Sequence, residues 1–233
     1  MWGLLYDIHG NLPALEAVLA DSETLQVDRW LLGGDYTLFG AWPGETLELL
    51  RELPDATWIR GNGERWAAQP EEAPGDPVVT GAIAAARAIL GPVEVAALAT
   101  LPESAIIDDD TTAWHASPVS DLRSFLPEPH EEDAELLAGV TEHRLIFGHT
   151  HVPFQRFADP PGIELVNPGS VGMPFDGNPR ASWAVIHDDR TIEHRRVRYD
   201  HAAAARRVRA VAGEDRWGEV VAQRIERAQF VVR

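Results

Sequence analysis

The strongest constraint on this chain is a repeated pattern: a short apolar run, a turn, and then a side chain able to bind a cation. Leu4-Leu5-Tyr6 leads to Asp7-Ile8-His9, Leu31-Leu32 to Gly33-Gly34-Asp35, and Thr57-Trp58-Ile59 to Gly61-Asn62. Ala113-Trp114 leads to His115, and Leu145-Ile146-Phe147 to Gly148-His149-Thr150-His151. Runs of this length read as buried strands. Helical spacings separate the first three. One is Leu12, Leu15, Val18 and Leu19, opened by Pro13; the other is Leu47, Leu49, Leu50 and Leu53, closed by Pro54. The alternation predicts an α/β domain with a largely parallel sheet. Ligands of such sheets sit beyond the carboxyl ends of the strands, where each of these polar residues falls.

His149 and His151 are one residue apart, so in an extended segment both imidazoles face one side. Imidazole is the commonest side-chain metal ligand. The pair alone is a weak signal, and each upstream residue has a plainer reading. Asp7 or Asp35 could cap a helix, Asn62 could serve a turn, and His115 could be a hydrogen-bonded core histidine. Asp108-Asp109-Asp110 reads as a solvated hairpin turn between strands at 105–107 and 111–114, not as a metal site.

Residues 1–233 read as one domain. A proline-rich loop over 69–77 and alanine-rich helical text to about Thr100 make 67–101 a helical insertion expected to roof the site. A helix is expected over Glu131–Val140. Strands at 154–157, 163–166, 182–187 and 191–199 are expected to form an antiparallel second sheet. Arginine-rich helices over 201–233 are expected to turn their arginines to solvent.

The chain contains no cysteine, which excludes thiolate metal sites and cysteine nucleophiles. Its 20 basic and 37 acidic residues leave a net charge of −17. That field disfavours an extended nucleic-acid surface, whereas a small phosphorylated substrate can bind if cations reverse the sign locally. No apolar run is expected to approach the roughly 20 residues of a membrane span. A cytoplasmic protein without a membrane partner is the expectation, with homo-oligomerisation left open.

Taken together, Asp7-Ile8-His9-Gly10-Asn11, Gly34-Asp35, Gly61-Asn62, His115 and Gly148-His149-Thr150-His151 resemble, in order, the motifs of the calcineurin-like metallophosphoesterases. Asn167-Pro168-Gly169-Ser170-Val171-Gly172 and Ala181-Ser182-Trp183-Ala184 are similar to the small bacterial and archaeal branch. The resemblance spans residues 1–200. It implies a four-layer α/β/β/α sandwich with two metal ions at the strand ends. Asp7, His9 and His151 would hold one ion, Asn62, His115 and His149 the other, and Asp35 would bridge them. Asp35, Asn62 and His149 would stand closest to the chemistry. Two such ions can clamp a phosphoryl group and deprotonate a bridging water. The mixed nitrogen and oxygen set suits manganese, iron, cobalt, nickel or zinc alike, and manganese is the expected working metal.

The expected reaction is hydrolysis of small phosphodiesters by a metal-bridging hydroxide. Phosphomonoesters or dinucleoside polyphosphates are alternative substrates, and a catalytically weakened metal-binding scaffold or regulatory subunit is the non-enzymatic alternative. Asn11 is a candidate phosphate contact and Trp66 a candidate stacking surface. For Asn167 a plain turn is expected, with support to the metal site as its alternative. The third motif departs from the family: glycine stands at 63 where a histidine is usual, which leaves Glu64 without an imidazole to orient. His130 and His143 are the other histidines weighed as replacements, and surface positions are expected for both.

Overall fold

The computed structural model describes residues 1–158 and 162–232. The first strands follow from the sequence spacing. β1 (Trp2–Leu5), α1 (Leu12–Ser22), β2 (Arg29–Leu32), α2 (Pro43–Arg51) and β3 (Ala56–Trp58) form two consecutive crossover units, and the three strands pair in parallel. Next come α3 (Asn62–Ala68), α4 (Pro77–Ala99), the hairpin β4 (Ser104–Asp108) and β5 (Thr111–Trp114), α5 (Asp133–Leu136) and β6 (Arg144–Ile146). The antiparallel pair β7 (Phe154–Ala158) and β8 (Ile163–Asn167) follows. The chain closes with β9 (Ala181–Ile186), β10 (Ile192–Val197), α6 (His201–Ala212) and α7 (Arg216–Arg227).

Two mixed five-stranded sheets result, in the orders β10-β9-β1-β2-β3 and β4-β5-β6-β8-β7. The expected sandwich is present, but the expected grouping of its late strands is not. Only β7 and β8 join the second sheet, whereas β9 and β10 extend the first sheet, with β9 antiparallel to β1. Period-2 alternation explains how one strand serves two layers. Leu4, Leu31, Ala184, Ile146 and Val166 fill the space between the sheets. Their neighbours Leu5, Leu32, Trp183 and Val185 meet α1 and α2 outside the first sheet. Outside the second sheet, Leu145, Phe147 and Leu165 meet Phe125, Leu136 and Leu137. Among the described residues that outer layer holds the single turn α5, because the helix expected over 131–140 forms at Asp133–Leu136.

Helix α4 bears on the expectation that no apolar run spans a membrane. Its length and its mean hydropathy of 1.6 meet the requirement for crossing a membrane. Gly91 breaks it with a φ of 74°, so neither straight piece approaches the roughly 20 residues a span needs. The first piece buries Val78, Ala82 and Ile83 against Trp217 and Val221 of α7, while Leu98 of the second packs beneath the first sheet.

Tyr6, just beyond β1, is fully buried between the sheets. A Cβ on Gly33 would lie 2.1 Å from its ring. Gly33→Ala should therefore destabilise the protein by about 1–3 kcal/mol. A urea melt measures this, and an unchanged midpoint would show that the Tyr6 ring can move aside.

Candidate metal centre

The parallel strands β1, β2, β3, β5 and β6 all deliver polar side chains beyond their carboxyl ends, and these meet in the seam between the sheets. Asp7, His9, Asp35, Asn62, His115 and His151 are all buried, and only His149 is partly open. The turns that aim them are strained. Asp7, His9, Asp35, His149 and His151 have φ between 51° and 68°, a left-handed conformation that non-glycine residues adopt at a cost. Half of the ten described non-glycine residues with positive φ are thus candidate ligands.

Two sets of ligand atoms emerge: Asp7, His9 and His151 in one, and Asp7, Asp35 and His115 in the other. In the first, the Nδ1 atoms of His9 and His151 lie 2.9 and 2.6 Å from the carbonyls of Leu38 and Met173. A carbonyl only accepts, so each ring carries its proton on Nδ1 and presents a bare lone pair on Nε2. Those two Nε2 atoms face each other at 3.1 Å. Two acceptors at that distance repel unless a cation stands between them, and about 3 Å separates neighbouring ligand atoms bound ~2.1 Å from one ion. Asp7 Oδ1, 3.6 Å from His151 Nε2, is buried without a hydrogen-bond partner.

In the second set, His115 Nδ1 faces the Gly33 carbonyl at 2.8 Å, which leaves its Nε2 bare. One terminal atom of the Asn62 amide lies 3.0 Å from that Nε2 and 2.9 Å from His149 Nδ1. An amide nitrogen there bonds both rings; turned over, the amide oxygen becomes a third ligand atom. Asp35 lies between the sets, with Oδ1 3.7 Å from His115 Nε2 and Oδ2 3.9 Å from His9 Nε2. Burial pushes Asp7 up to about 8 and Asp35 well above the carboxylate range. It also pushes His9 and His149 down to about 3 and lowers His151 strongly. The imidazoles are thus held neutral, as metal ligation requires, and a cation would return the carboxylates to their charged form. The donor set fits divalent ions.

Three positions differ from the sequence reading. Glu64, read as having no imidazole to orient, accepts hydrogen bonds from the backbone amides of Asp35, Tyr36 and Gly61 at 2.8–2.9 Å. Glu64 is the third residue of α3 and reaches back to Gly61, half of a capping box; this spacing was the available signal. Asn11, the candidate phosphate contact, is engaged within the protein. Its Nδ2 donates to the Gly172 carbonyl at 2.7 Å and to the Tyr199 hydroxyl at 3.1 Å, and it does not line the cleft. Asn167 does more than turn the chain. Its amide donates to the Gly148 carbonyl and Thr150 Oγ1, steadying the His149 loop, while its Oδ1 accepts from Gly169 N.

The candidate ligands His9, Asp35, Asn62, His149 and His151 line a cleft of about 870 Å³. Phe39, Val78, Phe175 and Phe230 make its walls apolar, and Arg224 is the arginine among its lining residues. Trp66, the candidate stacking surface, is among the cleft's lining residues, 6% exposed and packed in the core cluster. His130 and His143 are exposed, outside the cleft, and cannot replace the side chain missing at Gly63. A Cβ at that glycine would lie 2.9 Å from Asp35 Oδ1, which accepts the Gly63 amide hydrogen at 2.7 Å. Asp108 and Asp109 are exposed, and Arg190 pairs with Asp108 and Asp110, as a solvated turn requires.

Residues 1–191 match the calcineurin-like phosphoesterase superfamily domain. An uncharacterised protein of Methanocaldococcus jannaschii is 30% identical over 221 residues, covering 86% of this chain and 88% of its own length. The crystal structure of a metallophosphoesterase from Sphaerobacter thermophilus superposes with a TM-score of 0.81 at 28% identity, covering 97% of this chain and 98% of the other. A hypothetical protein from Pyrococcus horikoshii OT3 shares the fold, with a TM-score of 0.81 at 20% identity, over 95% of this chain and 98% of the other.

Glu64→Gln should loosen the Asp35 turn, because a neutral amide directs only one acceptor atom at three amide donors. Metal affinity should fall about 10–100-fold, as read by competition with a fluorescent chelator. Unchanged affinity would confine Glu64 to capping α3.

Proposed function

The chain belongs to the calcineurin-like phosphoesterase superfamily, and from that premise we propose that it hydrolyses small phosphodiesters with two divalent cations. Asp7, His9 and His151 would hold one, Asn62, His115 and His149 the other, and Asp35 would give one oxygen to each. The observation that carries this reading is the pair of bare His9 and His151 nitrogens at 3.1 Å beside the unpartnered Asp7 Oδ1. When bound, the cations supply an activated water and neutralise phosphoryl charge. The protein itself fixes the ligand rings through the Leu38, Met173 and Gly33 carbonyls. Manganese is the first choice, with iron, cobalt, nickel and zinc compatible. All seven candidate ligands are retained, which favours an enzyme over a decayed scaffold. The working compartment in this reading is the cytoplasm.

The apolar walls of the cleft support esters with an apolar or aryl group. The cleft's histidines are His9, His149 and His151, all candidate ligands, and Gly63 has no side chain to protonate a leaving oxygen. An aryl group that departs without a proton is therefore favoured.

Elemental analysis of metal-replete protein should find two ions per chain, and one or none would overturn the binuclear reading. Asp35→Asn should lower occupancy of both sites and cut turnover by orders of magnitude. With manganese, bis-p-nitrophenyl phosphate should turn over about 10²–10⁴-fold faster than an alkyl diester, the span of a missing general acid. Similar chemical-step rates for the two would show that another group supplies the proton.

A further inference from the structure

Arg224 is an arginine in the place of a core residue. It lies on α7 in the stripe Trp217, Val221, Arg224 and Ala228, whose spacing is that of an inward helix face, and it is 8% exposed. It also lies beyond residues 1–191, the part of the chain that matches the family domain. Buried arginines are ordinarily paired with a carboxylate. Among the described residues, the hydrogen bond Arg224 makes runs from Nε to the Val231 carbonyl at 2.9 Å. Burial lowers its pKa, with the Asp76 charge opposing.

Ring packing links this cation to the candidate metal centre. Its guanidinium carbon lies 4.4 Å from the Phe230 ring centroid and 6.0 Å from that of Phe39. Phe39 meets the His9 ring edge-on at 5.7 Å. Phe230 meets Phe175, which stacks on His151 at 4.3 Å with 14° between the planes. Arg224 is thus braced by two rings that lead to the two ligand histidines of one set, and it lines the same cleft. In a chain of net charge −17, a fixed positive charge in that cleft favours an incoming anion.

We propose that Arg224 binds the non-bridging oxygens of the substrate's phosphoryl group, so that the C-terminal helix supplies the cationic side chain that, among the described residues lining the cleft, residues 1–191 do not. The assignment rests on the phosphoesterase reading. The terminal guanidinium nitrogens offer a planar fork matched to two phosphoryl oxygens, while Nε stays bound to Val231. The same bond ties residues 228–232 beside the cleft, so a purely structural role is the rival reading.

The test is calorimetric titration of manganese-loaded protein with inorganic phosphate, alongside manganese content, melting temperature, and kcat and KM for bis-p-nitrophenyl phosphate. Arg224→Gln should weaken phosphate about 10–100-fold and raise KM, with manganese content unchanged. Wild-type phosphate affinity in the metal-loaded variant would overturn the proposal, as would a wild type with no measurable affinity. If Arg224→Gln does not fold, Arg224→Lys decides: loss of the fork should weaken phosphate several-fold, and undiminished binding would refute the assignment. Phosphate binding is read without turnover. A wild type that binds phosphate through Arg224 yet cleaves no ester would sink the proposed function and leave this residue's role standing.

Discussion

The metal centre depends on one carboxylate that points away from the cleft's chemistry. Glu64 gathers the amides of Asp35, Tyr36 and Gly61, and hydrogen bonds to a charged acceptor contribute about 1.5–3 kcal/mol each. Those bonds join the turn after β2 to the turn after β3 and help hold Asp35 at its left-handed φ of 56°. With the Gly63 amide on Asp35 Oδ1 and the His9 amide on the Asp35 carbonyl, that tie sets Asp35 between His9 and His115. Asp7 is held in the same manner, its Oδ2 accepting the His149 amide hydrogen at 2.9 Å. The centre is therefore a lattice of carboxylate-to-backbone bonds that leaves other donor atoms bare.

What could be read in advance divides along a physical line. β1, β2 and β3 with their crossover helices were legible because each is set by local spacing, and each candidate ligand directly follows its own strand. The choice of partner for β9 and β10 was not legible. An antiparallel strand with both faces buried, as Ala181–Ile186 is, fits either sheet, and only the long-range register Trp2 to Ile186 decides. Glu64 was misjudged because it was read against an absent histidine when its partners are backbone amides. Arg224 was read as one arginine among many on solvated helices, although Trp217, Val221 and Ala228 mark its face as buried.

The helices α3, α4, α6 and α7 form one apolar cluster with Leu38, Phe39 and Met173. Leu38 and Met173 are also the residues whose carbonyls fix His9 and His151. Packing in that cluster and tautomer selection at the centre are thus properties of the same residues. Loosening α7 would reach the imidazoles through Phe39 and Met173 without touching a ligand.

The closeness of Gly63 to Asp35 also couples the two positions. The Gly63 amide is bonded to Asp35 Oδ1, and a Cβ there would lie 2.9 Å from the same oxygen. A side chain at 63 therefore reaches the cleft only if the Asp35 carboxylate shifts, and Asp35 is the residue set between the two ligand groups. Leaving-group chemistry and ligand placement are in that sense not independent: a proton donor can be added on another wall of the cleft without disturbing Asp35, but not at 63.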